Sequence, residues 1–414
     1  MSPEEAFTQA RAELAHGDAG QARQLYLQAA EAGHVAACFD YARAQLYGIG
    51  GPPDLRAAMP WLARVAQAGH PAADDLLAQI ALSAGDVAQA TGHLRRAVAA
   101  AHPPALLAAA LIFGRRADAQ SQTQCLQWLE QAAGRGSAPA AALLAERLAA
   151  GEGCAPQPDA AGALWAQLRQ AGVERLPSLR VPPPEPATAA SAAASGLSSV
   201  NDLSLERLLA PPTLQPLSQT PVVSTLDRLL SADECRLLIL SARPHLHPSR
   251  ATDPHSGTAG SYDLRTSHDA GFDPLQETTA LRLVQHRMAA AAGLPLVHAE
   301  QLIVLRYMPG QEYRPHRDYL PPTAIARDPG VGGDAGNRRR TVCAYLSHVV
   351  AGGGTAFPQA ALTITPAPGR AVVFDNLQAD GSPEPTSLHA GLPVARGEKW
   401  LATLWMRERR YRVF

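Results

Sequence analysis

The N-terminal part of the sequence repeats a pattern of Ala-rich helical stretches separated by small turn residues. Four such stretches align at Gly33, Gly69, Ala101 and Gly136, with spacings of 36, 32 and 35 residues. They read AAEAGHVAACFDYA, VAQAGHPAADDLLA, AVAAAHPPALLAAA and QAAGRGSAPAAALLA. Periods of this length are typical of two-helix repeats that bury their apolar faces on their neighbours. The pattern predicts an all-α helical-repeat solenoid over residues 1–175.

The composition changes sharply after the repeats. Residues 176–220 include LRVPPPEPATAASAAASGLSS, which is rich in Pro, Ala and Ser and offers little apolar surface to bury. We therefore expect a linker over 176–220. Within it, NDLSLERLLAPP (201–212) has helical spacing and a plausible cap, so we expect this short stretch to dock onto one of the domains.

The pattern over residues 221–414 predicts helices first and strands afterwards. STLDRLLSADECRLLILSA predicts a short strand and a helix capped at Ser231, and TALRLVQHRMAAAAG predicts a helix that ends at Gly293. Short β-rich runs separated by Gly and Pro follow, namely AEQLIVLRYMPG, RTVCAYLSHVV, ALTITP, GRAVVFDN and KWLATLWMRER. This order indicates an antiparallel barrel or jelly roll with flanking helices.

Charge and composition restrict which binding partners and which cellular compartment we expect. A formal net charge of -1 argues against a global attraction to nucleic acid or anionic lipid. The five cysteines are scattered, as in a reducing compartment. The acidic, amphipathic N-terminus does not resemble a secretory signal, and no segment is long and apolar enough to span a bilayer. We expect a cytoplasmic protein with neither nucleic acid nor membrane as partner.

One group of residues has the composition of a metal site. His316 and Asp318 lie in YRPHRDYL, and on an extended segment positions i and i+2 face the same side. His389, 73 residues later in SLHAGLPV, would complete two histidines and a carboxylate, the set that leaves open positions on a non-haem iron. Alone this pattern is weak, because the chain has 14 histidines.

A single lysine strengthens the metal-site hypothesis. Of the 36 basic residues 35 are arginine, and Lys399 is the exception, ten residues after His389 in RGEKWLATLW. The slim ammonium of lysine fits a narrow barrel interior better than a planar guanidinium does. If the iron site uses a dicarboxylate co-substrate, 2-oxoglutarate, that molecule needs a cation beside the metal to bind its second carboxylate. The alternative is an ordinary surface lysine.

The repeats resemble a known family. Gly-rich loops, YGIGGPPD (47–54) and GEGCAPQPD (151–159), precede Ala-rich helices that carry Trp61 and Trp165, and Trp128 holds a similar place in another repeat. This arrangement resembles the Sel1-like subfamily of tetratricopeptide-type repeats. We expect the tryptophans to pack in the solenoid core.

The C-terminal half resembles the prolyl 4-hydroxylase alpha-subunit catalytic domain from about residue 222 to 412. The motifs are RYMPGQEYRPHRDYL, RRRTVCAYLSHVVAGGGTAFP and SLHAGLPVARGEKWLATLWMRER. The resemblance implies a double-stranded β-helix that uses Fe(II), 2-oxoglutarate and O2, with L-ascorbate rescuing oxidised iron. It places the iron ligands at His316, Asp318 and His389, and it places Lys399 on the distal carboxylate of 2-oxoglutarate.

The same resemblance implies roles for five further residues. Tyr307 and Thr355 would line the co-substrate pocket, and Tyr313, Arg338 and Trp405 would line the groove for a peptide substrate. Packing in the barrel wall is the alternative for the aromatic residues, and a solvated loop is the alternative for the arginine run 338–340. The loop 321–337 differs from relatives, which leaves the substrate open.

The resemblance predicts hydroxylation of a protein or peptide, at proline. The repeats would recruit or orient the substrate or a partner protein on their concave surface. Two alternatives stay open. The domain could hydroxylate another residue or a small molecule, or the chain could be a repeat scaffold with a vestigial oxygenase domain. An intact triad together with Lys399 argues against the scaffold.

Overall fold

A computed structural model describes residues 1–176, 200–249, 251–252, 259–260, 264–321 and 333–414. Residues 177–199 of the predicted linker and 322–332 of the predicted variable loop lie outside the described residues.

The repeat region consists of helices in consecutive pairs, which confirms the predicted solenoid. The four aligned turn residues all have positive φ, including the non-glycine Ala101 at 53°. The helices are α1 (Pro3–His16), α2 (Ala19–Glu31), α3 (Val35–Tyr47), α4 (Leu55–Gln67), α5 (Pro71–Ser83), α6 (Val87–Ala99), α7 (Pro103–Gly114), α8 (Ala119–Gly134), α9 (Ala138–Ala150) and α10 (Pro158–Gln170). Of the helices described, none could cross a membrane singly, although α6 and α7 together pass by length and composition across a 116° bend.

A short segment joins the two halves of the molecule. It forms a 3-10 turn (Val200–Asp202) and the single-turn helix α11 (Glu206–Leu209). The guanidinium of Arg95 on α6 donates hydrogen bonds to the carbonyls of Asn201 and Leu203, and the side chain of Leu203 is fully buried. The segment therefore docks onto the repeats, as its sequence predicts.

The C-terminal half has the predicted helices and strands. Helix α12 (Ala232–Ala242) begins with a capping box between Ser231 and Glu234, and α13 (Thr279–Ala292) ends at Gly293 in the left-handed conformation. The strands are β1 (Gln215–Gln219), β2 (Val222–Leu226), β3 (His247–Pro248), β4 (Ala251–Thr252), β5 (Ala259–Gly260), β6 (His268–Gly271), β7 (Ile303–Tyr307), β8 (Tyr313–His316), β9 (Arg338–Tyr345), β10 (Ala351–Gly352), β11 (Thr355–Phe357), β12 (Leu362–Ile364), β13 (Ala371–Asp375), β14 (His389–Gly391), β15 (Val394–Arg396) and β16 (Lys399–Arg407).

Two antiparallel sheets face each other, which confirms the predicted jelly roll. Among the described strands, the large sheet has the order β1-β2-β13-β9-β16-β7-β6-β3 and the small sheet has the order β12-β11-β14-β8. An apolar cluster that includes Phe357, Ile364 and Phe374 lies between them. Successive side chains of β16 point alternately to the inner and the outer face of the large sheet. The outer residues of β16 join the core on the far side of the large sheet, and they are Trp400, Ala402, Leu404 and Met406.

Helices α12 and α13 lie between the large sheet and the repeats. One continuous apolar core runs from the outer face of the large sheet, through both helices, into α5 to α10. Ten consecutive residues of α7, from Ala105 to Gly114, are buried. The repeats therefore share their hydrophobic core with the C-terminal domain, and the inner helices α5, α7 and α9 are covered by it.

Buried ion pairs fix this interface. The guanidinium of Arg147 on α9 donates to Asp233 on α12 at 2.8 Å, and both side chains are 3% exposed. Arg236 of α12 donates to Glu152 of the repeats at 2.6 Å and also to Asp233 at 3.1 Å. Removing Asp233 would leave the buried guanidinium of Arg147 without its carboxylate, which is strongly destabilising, so these pairs specify how the two halves dock.

A second polar cluster joins α5 to α13. The hydroxyl of Thr279 donates to Asp75 at 2.7 Å, and the amide of Gln79 donates to Thr279 at 2.9 Å. Burial raises the pKa of the Asp75 carboxyl from the ordinary 3.8 to about 6, although hydrogen bonds from Thr279 and Gln79 lower it in part.

This shift predicts a pH-dependent stability. Because the folded protein holds the Asp75 proton more tightly than the unfolded chain does, the contribution of Asp75 to stability is fully present below about pH 4 and is lost as the pH rises through about 6. As the pH rises from 4 to 7.5, the free energy of unfolding of Asp75→Asn should increase by up to about 3 kcal/mol relative to that of the unmodified protein. Urea titrations at both pH values measure this gap. Glu130→Gln, an exposed change on α8, is the control, and an Asp75→Asn gap that does not change with pH would contradict the assignment.

Candidate metal and co-substrate site

Strand pairing brings the predicted metal ligands together. Strands β8 and β14 pair so that His316 lies directly opposite His389. Asp318 follows two residues after His316, and its carboxylate lies 3.6 Å from the Nε2 of His316 and 3.8 Å from the Nε2 of His389. The candidate ligand atoms all lie within 4.8 Å of one another.

Backbone carbonyls set the orientation of both imidazoles. The Nδ1 of His316 lies 2.8 Å from the carbonyl of Arg314, and the Nδ1 of His389 lies 3.0 Å from the carbonyl of Ser387. In each ring Nδ1 carries the proton and donates it, because a carbonyl can only accept. The lone pair is therefore on Nε2, which faces the carboxylate, as in metal-binding histidines.

The charges of the cluster also suit a cation. Burial opposes ionisation of Asp318, but the neighbouring His389, His316 and Arg338 outweigh it and hold the pKa of this carboxyl far below its usual range. Burial, and then the neighbouring His316, lower the pKa of His389 to about 4. At neutral pH the cluster thus presents a carboxylate and a neutral imidazole with a free lone pair.

The donor set fits a non-haem iron. Two imidazole nitrogens and one carboxylate oxygen are the ligands that such an ion takes while keeping positions for other molecules. In the described parts of the chain no other histidine, cysteine or acidic residue joins this group. A closed four-ligand site of the structural zinc type is therefore absent from these residues.

Lys399 lies in the same pocket, on the large sheet. Lys399 begins β16 and pairs with Tyr307 of β7. In sequence order, the short strand β15 lies between β16 and β14, the strand of His389. The Lys399 side chain is 1% exposed, and its Nζ lies 5.0 Å from the ring of Tyr307 and 5.6 Å from that of Tyr345. Burial lowers the pKa of this ammonium to about 8.

No described carboxylate forms an ion pair with Lys399, so this buried cation has no counterion within the described part of the chain. A buried charge of this kind is costly unless something pairs with it. An anionic ligand entering the pocket would supply the missing charge. The predicted surface-lysine alternative does not match this burial.

Small residues make the space for the lysine stem. A Cβ at Gly353 would lie 3.3 Å from the Cδ of Lys399, and φ is +70° at this glycine. Thr355 lines the pocket on the opposite sheet, where its hydroxyl lies 2.6 Å from the phenol oxygen of Tyr345. The GGGT motif therefore combines backbone freedom with a polar wall.

Tyr313 and Trp405 also line this pocket. The ring of Tyr313 stacks on His316 with a centroid distance of 3.4 Å. Arg338 does not belong to the pocket lining. Its guanidinium donates to both carboxylate oxygens of Glu300, at 2.7 and 2.8 Å, and lies 3.8 Å from the Trp405 ring. The solvated-loop alternative for this arginine is wrong, because Arg338 begins β9.

Sequence reasoning missed several pocket residues. Arg265 is buried, ion-paired with Asp269 at 3.4 Å, and lies 5.1 Å from the Tyr313 ring. Cys343 and Thr403 come from the inner faces of β9 and β16. The period-two alternation of LATLW could have identified Thr403, whereas the position of Arg265 depends on a loop and leaves no periodic signal.

Comparison with known proteins gives matches for both halves. Residues 302–407 match the 2OG-Fe(II) oxygenase superfamily. The chain is 32% identical over 216 residues to probable prolyl 4-hydroxylase 3 of Arabidopsis thaliana, covering 48% of this chain and 73% of the relative. It is 33% identical over 206 residues to prolyl 4-hydroxylase 1 of the same plant, covering 46% and 71%.

Solved structures match each half separately. A viral collagen prolyl hydroxylase from Paramecium bursaria Chlorella virus-1, in complex with 2OG, matches with 26% identity and a TM-score of 0.34, covering 45% of this chain and 95% of the other. A Sel1 repeat protein from Oxalobacter formigenes matches with 21% identity and a TM-score of 0.37, covering 41% and 74%.

The expected family is confirmed by sequence relatives that the chain covers over more than two thirds of their length. The chain belongs to the prolyl 4-hydroxylase family of 2OG-Fe(II) oxygenases.

Proposed function

We propose that the chain is an Fe(II)- and 2-oxoglutarate-dependent dioxygenase that hydroxylates proline in a protein or peptide. The observation that carries the proposal is one pocket that holds three metal-type donors together with the buried cation Lys399, which has no ion-pair partner among the described residues. Iron bound by His316, Asp318 and His389, with 2-oxoglutarate and O2, supplies the oxidising chemistry. L-ascorbate would restore iron that becomes oxidised.

The residues of the chain bind and orient the reactants. Lys399 pairs with the distal carboxylate of 2-oxoglutarate, and Tyr307 and Thr355 line the space between that carboxylate and the metal donors. Tyr313 and Trp405 form the wall where a peptide would lie. Their rings exclude water and hold the target C–H bond near the metal.

Proline as the target is supported by the relatives, which are named prolyl 4-hydroxylases. No specific observation favours a different amino acid or a small molecule. The vestigial alternative would require decay of the site, whereas both imidazoles keep the orientation that metal binding needs.

Turnover tests this proposal directly. Purified protein incubated with Fe(II), 2-oxoglutarate and proline-containing peptides should yield succinate and a peptide with one added oxygen, located on proline by fragment-ion mass spectrometry. His316→Ala should lower the rate at least about 100-fold, because losing a residue that only hydrogen-bonds to a metal ligand can already lower activity by up to that factor. His348→Ala, an exposed change in the same domain, is the control. Oxygen added to another residue would overturn the prolyl assignment, and full activity of His316→Ala would overturn the iron site.

Removal of the buried cation should act on the co-substrate. A charge-assisted contact is worth about 1.5–3 kcal/mol, so Lys399→Met should raise the KM for 2-oxoglutarate about 10- to 100-fold. The KM for the peptide should change much less. Initial-rate measurements over both concentrations separate the two constants, with the exposed Arg396→Met as control. An unchanged KM for 2-oxoglutarate would exclude Lys399 from its binding.

Only part of the repeat surface is available to bind a protein substrate or partner. Because α5, α7 and α9 pack against α12 and α13, that part of the inner surface has its partner within the chain. We place recruitment of a protein substrate on the first four helices, α1 to α4. Removing residues 1–175 would strip the cover from α12 and α13, so deletion cannot separate recruitment from folding.

A surface substitution tests recruitment more cleanly. Val35 on α3 is 45% exposed, and Val35→Glu should lower kcat/KM for a full-length protein substrate while leaving a short peptide from the same substrate unaffected. Leu217→Glu, on the exposed strand β1, is the matched control. Equal loss on both substrates would indicate a folding defect, and no loss on either would contradict recruitment through this face of α3.

A further inference from the structure

The carboxylate of Asp318 is held by a buried hydrogen-bond chain behind it. The hydroxyl of Thr341 donates to Oδ2 of Asp318 at 2.8 Å, and the side-chain nitrogen of Asn376 donates to the Thr341 hydroxyl at 2.9 Å. Both Thr341 and Asn376 are 0% exposed. Neither residue lines the pocket, so neither can touch a substrate there.

The chain has a fixed direction. A hydroxyl has one proton, and the carboxylate of Asp318 can only accept, so the proton of Thr341 points to Asp318. The hydroxyl oxygen is then free to accept from the amide of Asn376. With the amide reversed, its oxygen would face the lone pairs of the Thr341 hydroxyl, which cannot donate to two acceptors at once.

Backbone contacts fix the far end of the chain. Asn376 directly follows β13, and its backbone N–H donates to the carbonyl of Arg339 at 2.9 Å. Its backbone carbonyl accepts from the N–H of Glu384, also at 2.9 Å. The side-chain Oδ1 of Asn376 is buried and has no hydrogen-bond partner among the residues that the structure describes. A buried amide oxygen without a hydrogen bond is costly in a protein core. What this side-chain orientation gains in return is the hydrogen bond from the Asn376 nitrogen to the hydroxyl of Thr341.

From this geometry we infer that Thr341 and Asn376 are positioning residues that hold the Asp318 carboxylate in the orientation in which it binds the metal. This inference rests on the proposed function, because it assumes that Asp318 is a metal ligand. Asp318 lies two residues beyond the end of β8, so its backbone is outside the paired strand. The hydroxyl of Thr341, anchored in the central strand β9 of the opposite sheet, restrains the carboxylate directly.

Binding of Co(II) to the metal-free protein tests the inference without any turnover. Loss of residues that orient a metal ligand typically costs 10- to 100-fold in affinity, so Thr341→Val should raise the Kd for Co(II) by about that factor and alter its visible absorption spectrum. Thr341→Ser, which keeps the hydroxyl, should restore both. Asn376→Ala should weaken binding in the same direction by a smaller factor.

The control separates positioning from ordinary core stability. Thr225→Val also removes a hydroxyl from the large sheet, where it donates to the carbonyl of Ala371 at 2.9 Å, far along the chain from the ligands. It should lower the melting temperature without changing the Kd for Co(II). If Thr341→Val does not fold, the comparison of Asn376→Ala with Thr225→Val decides in the same way.

The outcomes distinguish two failures. Unmodified protein that does not bind Co(II) would overturn the proposed function itself. Unmodified protein that binds Co(II), together with Thr341→Val or Asn376→Ala variants that bind it equally well with the same spectrum, would overturn only the positioning role.

Discussion

The large sheet must be covered on both faces, and this requirement organises the whole molecule. Its inner face carries the pocket, so only its outer face can serve as a purely apolar surface. That face is covered by α12 and α13, and the far sides of these helices are covered in turn by the repeats. The solenoid is therefore part of the fold of the catalytic domain, in addition to any contact it makes with a partner.

Strict alternation along β16 lets one strand serve both layers. Lys399 and Thr403 face the pocket, while Trp400 and Leu404 face α12 and α13. A slip of one residue would exchange the two sets and place the ammonium in the apolar core. The register is fixed on both sides, by β7 and by β9, so the position of the cation is set by the most highly paired part of the sheet.

Much of this architecture could be predicted from the sequence, because it depends on local patterns. The repeat period, the caps of α12 and α13 and the short β-rich runs are local signals, and each corresponds to an observed element. The metal donors and Lys399 could be named from residue types and spacing, whereas the further pocket residues Tyr307, Tyr313, Thr355 and Trp405 could be named only because the resemblance supplied a register. Partners brought together by tertiary pairing had no such signal: Arg147 with Asp233, and Thr341 with Asn376, lie far apart in sequence. The covered inner surface of the repeats was missed for the same reason.

The solitary lysine also determines how the protein meets other chemistry. Elsewhere the chain uses arginine for positive charge, and arginine does not act as an acceptor for acyl groups as an ε-amine does. Lysine-directed modification, whether enzymatic or by an amine-reactive reagent, therefore has one side-chain target, and that target is buried in the pocket. The arginines on the outer surface offer no ε-amine, so acylation of lysine cannot neutralise their charge.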